Sequence, residues 1–157
     1  MHQHEKFIRE AVKLAIENVP SGKGGPFGAL VVKDGEIIGK GVNQVTSTND
    51  PTAHAEIMAI RDACKNLGDF QLTGCTIYAS CEPCPMCLGA IYWARPDMLV
   101  FAASNSDASK AGFDDSFIYR EVSLPIKERK IPTKNIKPEN FFSPFQLWLD
   151  MEMKKPY

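Results

Sequence analysis

The chain of 157 residues lacks several features that would place it in a class at once. It contains no apolar run near the ~20 residues that a membrane-spanning helix needs. The opening residues, MHQHEKFIRE, lack the apolar core of a secretion signal, so we expect a cytoplasmic protein without a membrane partner. A basic excess is also missing, since 18 Lys and Arg stand against 19 Asp and Glu. This balance argues against a nucleic-acid partner.

Internal repeats, low-complexity tracts and linkers are absent too, which predicts one domain over residues 1–157. Cysteine is scarce, and its count of five is odd, so a complete disulfide framework is not expected. Two cysteines stand in Cys84-Pro85-Met86-Cys87, downstream of His54-Ala55-Glu56. In a chain with no secretion signal, C-x-x-C favours a metal site. H-x-E followed by P-C-x-x-C is the pattern of zinc nucleobase deaminases.

His54, Cys84 and Cys87 supply three zinc ligands, and Glu56 is left without a ligand role. Structural zinc sites close with four protein ligands, whereas catalytic sites keep one position for water. Zinc lowers the pKa of a bound water from about 15.7 to about 7, and a nearby carboxylate can carry its proton. The pattern therefore predicts hydrolytic deamination. The alternative is a structural zinc clip, for which Cys81 is a candidate fourth ligand, although we interpret Cys81 as a packing residue.

Hydrophobic periodicity and turn signals predict a mixed α/β fold. Asp34-Gly35 fits a two-residue type I′ turn between two strands, and Pro51 suits the first position of a helix. The predicted helices span residues 4–19, 51–66, 85–94, 114–122 and 144–154. The predicted strands span residues 27–33, 36–42, 75–80, 98–103 and 133–137.

The stretches GGPFGALVVKDG, NDPTAHAEIMAIR and SCEPCPMCLGAIYWARP resemble the cytidine-deaminase-like superfamily. The stretch AGFDDSFIY resembles the short bacterial zinc-dependent guanine deaminases in particular. The resemblance implies a three-layer α/β/α sandwich around a five-stranded mixed sheet. It also implies one zinc ion per site, held by His54, Cys84 and Cys87, with Glu56 as the proton shuttle. A homodimer is implied as well, in which the segment from about residue 133 on is exchanged between subunits.

The resemblance further implies a purine pocket. Asn43 would hold the ring by hydrogen bonds, offering donor and acceptor from one amide, and Asp115 would serve the exocyclic amine. The other implied pocket residues are Phe27, the backbone of Ala55, and Tyr157. From the residues alone, other roles stay open. Asn43 could be a turn former, and Asp114 or Asp115 could be a helix cap.

The predicted reaction is conversion of guanine to xanthine and ammonia. A tRNA adenosine deaminase is the nearest rival, because it shares H-A-E and P-C-x-M-C, but its usual basic tail is replaced here by a stretch of mixed charge. A cytosine or aminotriazine deaminase is the rival among small-molecule enzymes. A zinc-stapled binding module is the non-enzymatic alternative, and it predicts that Glu56 is dispensable.

Overall fold

The computed structural model describes residues 2–157, with residue 2 described in its backbone only. The chain divides into two compact units, Met1–Ser116 and Phe117–Tyr157. The first unit contains a mixed sheet of four strands in the order β2-β1-β3-β4. The strands are β1 (Gly28–Lys33), β2 (Glu36–Val42), β3 (Cys75–Cys81) and β4 (Met98–Ala103). Strand β1 is antiparallel to both β2 and β3, whereas β3 and β4 are parallel.

The turn between β1 and β2 has the predicted geometry. Asp34 has a φ of 51° and Gly35 a φ of 81°, and a type I′ turn requires positive φ at both central residues. The turn places Lys33 opposite Glu36, and a shift of register between Val31 and Val32 leads to the pairing of Gly28 with Val42 at the far end of the hairpin. The prediction of a hairpin at this place is confirmed.

Helices cover both faces of the sheet. Residues of β1 point alternately to the two faces, as the period of a strand requires. Leu30 and Val32 pack with Phe7 and Ala11 of α1 (His2–Ser21). On the opposite face, Ala29 and Val31 pack with residues of α3 (Ala55–Leu67) and α4 (Pro85–Ala94). The predicted α/β/α layering is confirmed.

Helix α3 rests directly on the backbone of β2. Gly39 and Gly41 face the helix, and a Cβ atom on Gly39 would lie 2.6 Å from the carbonyl oxygen of Ala59. A Cβ atom on Gly41 would overlap the backbone of Ala55 and Ala59. The absence of side chains at these two positions therefore fixes the height of α3, and of its first residues, above the sheet.

The predicted start of this helix at Pro51 is wrong. Asp50 Oδ1 accepts hydrogen bonds from the backbone N–H (2.8 Å) and the hydroxyl (2.7 Å) of Thr52, which holds this segment in a turn. Helix α3 begins at Ala55, after an extended His54 with φ −73° and ψ 156°. The preceding loop also contains a single helical turn, α2 (Val45–Thr48), that the sequence did not indicate.

The predicted fifth strand at Thr133–Lys137 is also wrong, because this segment is exposed and irregular and the described residues form four strands. Pro132 and Pro138 flank it, and proline cannot donate to a strand ladder. The second unit contains most of α6 (Ser116–Ser123), a 3₁₀ turn (Ile126–Glu128) and α7 (Ser143–Asp150). Among the described residues, no helix combines the length and the apolar character needed to cross a membrane.

Candidate metal centre and substrate cavity

One edge of the sheet brings together the chain segments that carry the predicted site. Because β1 is antiparallel to β2 and β3, the start of β1 lies at the same edge as the ends of β2 and β3. The parallel strand β4 also ends at this edge, where Ala103 pairs with Cys81. Phe27 precedes β1, Asn43 follows β2 and Cys84 follows β3. Strand direction alone therefore gathers residues that are up to sixty positions apart in sequence.

The side chains of His54, Cys84 and Cys87 converge at this edge. Their candidate ligand atoms all lie within 4.8 Å of one another. Each cysteine sulfur is 3.5 Å from Nδ1 of His54. A tetrahedral zinc ion with bonds of about 2.3 Å to sulfur and about 2.0–2.1 Å to nitrogen separates these atoms by about 3.5 Å. The donor set therefore fits one zinc ion.

Two helix starts position these three side chains. His54 is the N-cap residue of α3. The predicted helix over residues 51–66 would have placed it in the first turn, whereas in the structure it lies one position before the helix begins. Cys84 is the N-cap of α4, Pro85 occupies the first helical turn without needing a hydrogen-bond partner, and Cys87 follows in that turn. Helix N-termini carry partial positive charge, which favours thiolate over thiol.

The mutual contacts of the two cysteines shift their pKa values in opposite directions. A hydrogen bond from Cys87 lowers the pKa of Cys84, and a further hydrogen bond from His54 acts in the same direction. The pKa of Cys87 is raised by its hydrogen bond to Cys84 and by burial. The hydrogen bond to Cys84 also raises the pKa of His54. Zinc is held by thiolates, so metal binding would release the protons that the two thiols carry.

Glu56 stands two residues into the same helix start, outside the group of three candidate ligands. Its side chain is buried, at 8% exposure, yet it borders the same cavity as His54 and Cys84. Burial raises the pKa of this carboxyl group. A carboxyl group with a raised pKa is suited to take up and give back a proton near neutral pH.

The side chains of His54, Glu56 and Cys84 border a cavity of about 400 Å³, a size typical of small-molecule sites. Phe27 borders it and contacts the ring of Phe113 edge-on, with 5.0 Å between the ring centroids. Ala55, the first residue of α3, is fully buried and does not border the cavity. Tyr157 belongs to the second unit. The substrate roles of Phe27, Ala55 and Tyr157 stay predictions.

Asn43 borders the cavity with its amide in one fixed orientation. Its Oδ1 accepts hydrogen bonds from the backbone N–H groups of Gly25 (3.1 Å) and Val45 (3.2 Å). Both lone pairs are used, which leaves Nδ2 as the available donor. No buried side-chain nitrogen or oxygen among the described residues is without a partner, so Nδ2 opens onto the cavity. Asn43 both organises its loop and presents a donor, instead of the donor and acceptor expected from its residue type.

Asp114 and Asp115 have separate roles in the structure. Asp114 Oδ1 accepts a hydrogen bond of 2.9 Å from the backbone N–H of Ser116 at the start of α6. Asp115 is half-buried on the cavity wall, and burial raises the pKa of its carboxyl group. Both residues border the cavity, and Asp114 in addition accepts the hydrogen bond at the start of α6 that the sequence left open for either residue.

Cys81 lies outside the group of candidate ligands. Its thiol is buried, and burial raises its pKa to about 11, so it remains protonated at neutral pH. A second wall residue, Glu82, accepts a hydrogen bond of 3.0 Å from the backbone N–H of Asn105. Sequence reasoning missed Glu82, although its place between Cys81 and Cys84 was a usable signal.

Comparison with known proteins agrees with this geometry. A family model described as the zinc-binding region of cytidine and deoxycytidylate deaminases matches residues 1–103. Guanine deaminase of Bacillus subtilis (strain 168) is 58% identical over 154 residues, covering 98% of this chain and 99% of that protein.

A solved structure of guanine deaminase from Bacillus subtilis matches with a TM-score of 0.96 at 58% identity, covering 98% of each chain. The tRNA-specific adenosine deaminase of the same organism is 39% identical over 112 residues, covering 71% of this chain and 69% of that protein. Similarity to the guanine deaminase is thus both higher and more extensive. The chain belongs to the zinc-binding cytidine and deoxycytidylate deaminase family, and within it to the guanine deaminases.

Proposed function

We propose that this enzyme removes the amino group of guanine by zinc-dependent hydrolysis, giving xanthine and ammonia. One observation carries the proposal: His54, Cys84, Glu56 and Asn43 border one cavity, and the buried Cys87 completes the donor set behind His54 and Cys84. The similarity of nearly the whole chain to a guanine deaminase supports the choice of substrate. The cytoplasmic location expected from the sequence stays a prediction.

His54, Cys84 and Cys87 are the proposed zinc ligands. Zinc, when bound, supplies a Lewis acid that activates water at neutral pH. Glu56 takes a proton from that water and gives it to a ring nitrogen of the purine. Water contributes the oxygen of the new carbonyl group, and the amino nitrogen leaves as ammonia. The raised pKa of the buried Glu56 carboxyl group suits it to both halves of this transfer.

Asn43 and Asp115 are the proposed recognition residues. Asn43 Nδ2 donates a hydrogen bond, so it matches a carbonyl oxygen or an unprotonated ring nitrogen of the base. The Asp115 carboxylate accepts a hydrogen bond from the exocyclic amine and relays a proton as ammonia leaves. A site that pairs such groups rejects analogues lacking them by large factors, because its own polar atoms would then be left unpaired.

Glu56→Gln tests the proposed reaction. We expect the variant to retain one zinc ion per chain and to lose at least ~100-fold in guanine turnover, since a positioned proton shuttle contributes on the order of 10²–10⁴-fold. Ammonia release is measured with guanine, adenine, cytosine and an adenosine-containing anticodon stem-loop, alongside metal content. Glu36→Gln, on an exposed part of β2, is the control. Full activity in Glu56→Gln would end the catalytic assignment, and preference for the stem-loop would favour a tRNA deaminase.

We further propose a homodimer in which the segment from about residue 133 on is exchanged between subunits. Within the second unit, several large apolar side chains around α7 are exposed, namely Phe141, Phe142, Phe145, Leu147 and Leu149. Within the first unit, the edge strand β4 exposes Met98 and Phe101. Contiguous apolar surfaces of this kind mark protein–protein contacts. A second copy of the chain is the partner that supports this proposal best.

A further inference from the structure

Asn18, near the end of α1, is a buried polar residue that the proposed mechanism does not use. It is 3% exposed and does not line the cavity. Its Nδ2 donates two hydrogen bonds, one to the carbonyl oxygen of Gly25 at 2.8 Å and one to that of Asn43 at 2.9 Å. Both amide hydrogens are thus used. The hydroxyl of Ser21 donates to the backbone carbonyl oxygen of Asn18 at 2.7 Å and lies 3.2 Å from Asn18 Oδ1.

The two acceptors lie on two separate segments that form one wall of the cavity. Gly25 and Phe27 border the cavity from the segment before β1, and Asn43 and Val45 border it from the segment after β2. Gly25 also donates its own N–H to Asn43 Oδ1 at 3.1 Å, which closes a ring of hydrogen bonds through Asn18. A Cβ atom on the adjacent Gly24 would overlap Asn43 Oδ1, so the fit leaves no room for adjustment.

We propose that Asn18 is a positioning residue that aims the Asn43 amide at the substrate. The proposal rests on the substrate role proposed for Asn43. The orientation of that amide depends on two backbone N–H groups, and the segments that carry them are held together by the Asn18 side chain. Asn18 therefore sets the place and direction of the Nδ2 donor without touching the substrate.

Removal of Asn18 Nδ2 leaves two buried carbonyl oxygens without their donor. Such groups cost free energy unless they find a new partner, so the two segments must shift apart or admit water. The effect should appear mainly in substrate binding, because Asn43 contacts the base and takes no part in proton transfer at Glu56.

A double-mutant cycle on the full-length zinc enzyme tests the proposal. We expect Asn18→Ala to raise KM for guanine at least tenfold, with kcat changed less than fivefold and one zinc ion retained per chain. In an Asn43→Ala background, we expect the same substitution to change kcat/KM less than threefold, because the donor that it positions is already absent. Independent, multiplying losses would show that Asn18 is only structural and would overturn the proposal.

Asn66→Ala is the matched control. Asn66 also donates its side-chain amide to a carbonyl oxygen, that of Ile38 at 2.8 Å, but it does not border the cavity. Its loss should leave KM for guanine unchanged. If Asn18→Ala does not fold, Asn18→Asp replaces it. That change keeps the size of the side chain and removes the Nδ2 donor, so an unchanged KM in this variant would count against the proposal.

A readout independent of turnover separates this proposal from the proposed function. The side-chain amide of Asn43 gives a pair of ¹⁵N–¹H resonances, which are assigned by their loss in Asn43→Ala. We expect Asn18→Ala to shift or broaden that pair, and Asn66→Ala to leave it in place. Undisturbed resonances would overturn the positioning role even in an active enzyme. An Asn43→Ala enzyme with normal KM for guanine would instead refute the substrate role on which the proposal rests.

Discussion

Asp114 and Asp115 show how two identical neighbouring residues acquire different chemistry from their surroundings. Asp114 Oδ1 is engaged by the backbone N–H of Ser116, whereas Asp115 has its pKa raised by burial on the cavity wall. Sequence alone could not separate them, because a cap and a cavity residue require the same side chain.

Asp115→Asn should therefore retain zinc and lower the turnover of guanine more than the binding of xanthine, because the amide cannot relay a proton to the leaving amine. Steady-state kinetics and equilibrium binding of xanthine measure the two effects. Asp69→Asn is the control, since Asp69 is exposed, lies away from the cavity and likewise accepts a backbone hydrogen bond two residues on, and its replacement should leave turnover unchanged. Unchanged kinetics in Asp115→Asn would remove Asp115 from the mechanism.

Cys81 gives a prediction about pH. Burial raises the pKa of its thiol to about 11 from an ordinary value of 9.0, so between these values the folded state binds a proton that the unfolded state has lost. The contribution of the protonated Cys81 thiol to the free energy of unfolding is fully present below about pH 9 and is lost as pH rises to about 11. Chemical denaturation across this range should show a flatter decline of stability in Cys81→Ala than in the wild type. Identical slopes would contradict the pKa shift, and loss of zinc at pH 7 would make Cys81 a ligand.

The residues that sequence reasoning found are those whose chemistry is encoded locally. His54, Glu56, Cys84 and Cys87 lie in two short patterns, and spacing alone indicated a metal site. Asn18 has no such signal, because its partners Gly25 and Asn43 are brought to it by the packing of α1 on the sheet. Hydrogen bonds between remote segments are a property of the tertiary structure and leave no mark in spacing.

The difference between locally encoded features and tertiary contacts also explains which helix boundaries were predicted correctly. Helix α4 has its predicted limits, since Pro85 marks its start and a left-handed Arg95 followed by Pro96 marks its end. The start of α3 was misplaced because the side chain of Asp50 holds a turn that competes with helix. Proline is common both in the first turn of a helix and in tight turns, so Pro51 could not show whether the helix begins there.

The contact between α3 and β2 gives a prediction at this scale. Gly41→Ala should destabilise the fold by about 1–3 kcal/mol, the usual cost of overpacking, and should weaken zinc binding by displacing the helix start next to His54. Gly89→Ala is the matched control, because Gly89 is an exposed residue of α4 and its added Cβ atom would meet nothing within 4 Å. That change should stabilise by about 0.5–1 kcal/mol. Denaturant titration measures the stability of both variants, and chelator competition measures their zinc affinity. Normal zinc affinity in Gly41→Ala would show that His54 does not depend on this contact.

For the whole molecule, the C-terminal segment is where sequence reasoning was least successful. The predicted strand at 133–137 is absent, and the predicted helix at 144–154 ends at Asp150. Local periodicity is a weak guide here, because the exposed apolar side chains of this segment are not buried within its own unit. A partner chain would supply the missing burial, and the sequence of one chain does not describe its partner.

Deletion of Tyr157 should lower guanine turnover with little change in melting temperature, since the resemblance implies that this residue belongs to the purine pocket. Truncation before residue 133 should in addition convert a dimer into monomers. Kinetics, thermal melting and sedimentation velocity measure these outcomes. Normal KM and kcat after deletion of Tyr157 would refute its role, and a monomeric wild-type chain would refute the exchange of segments.

Asp115 follows β4, beyond the residues 1–103 that the deaminase family model covers, whereas His54, Glu56, Cys84 and Cys87 all fall within them. The proposed zinc ligands and proton shuttle are thus encoded in the matched region, whereas Asp115, the group proposed to bind the exocyclic amine and relay a proton to it, is encoded in the stretch that follows. Mutation can rework the later stretch while the earlier one keeps its function. An ancestral scaffold could in this way acquire free bases or transfer RNA as substrates without reinventing its metal.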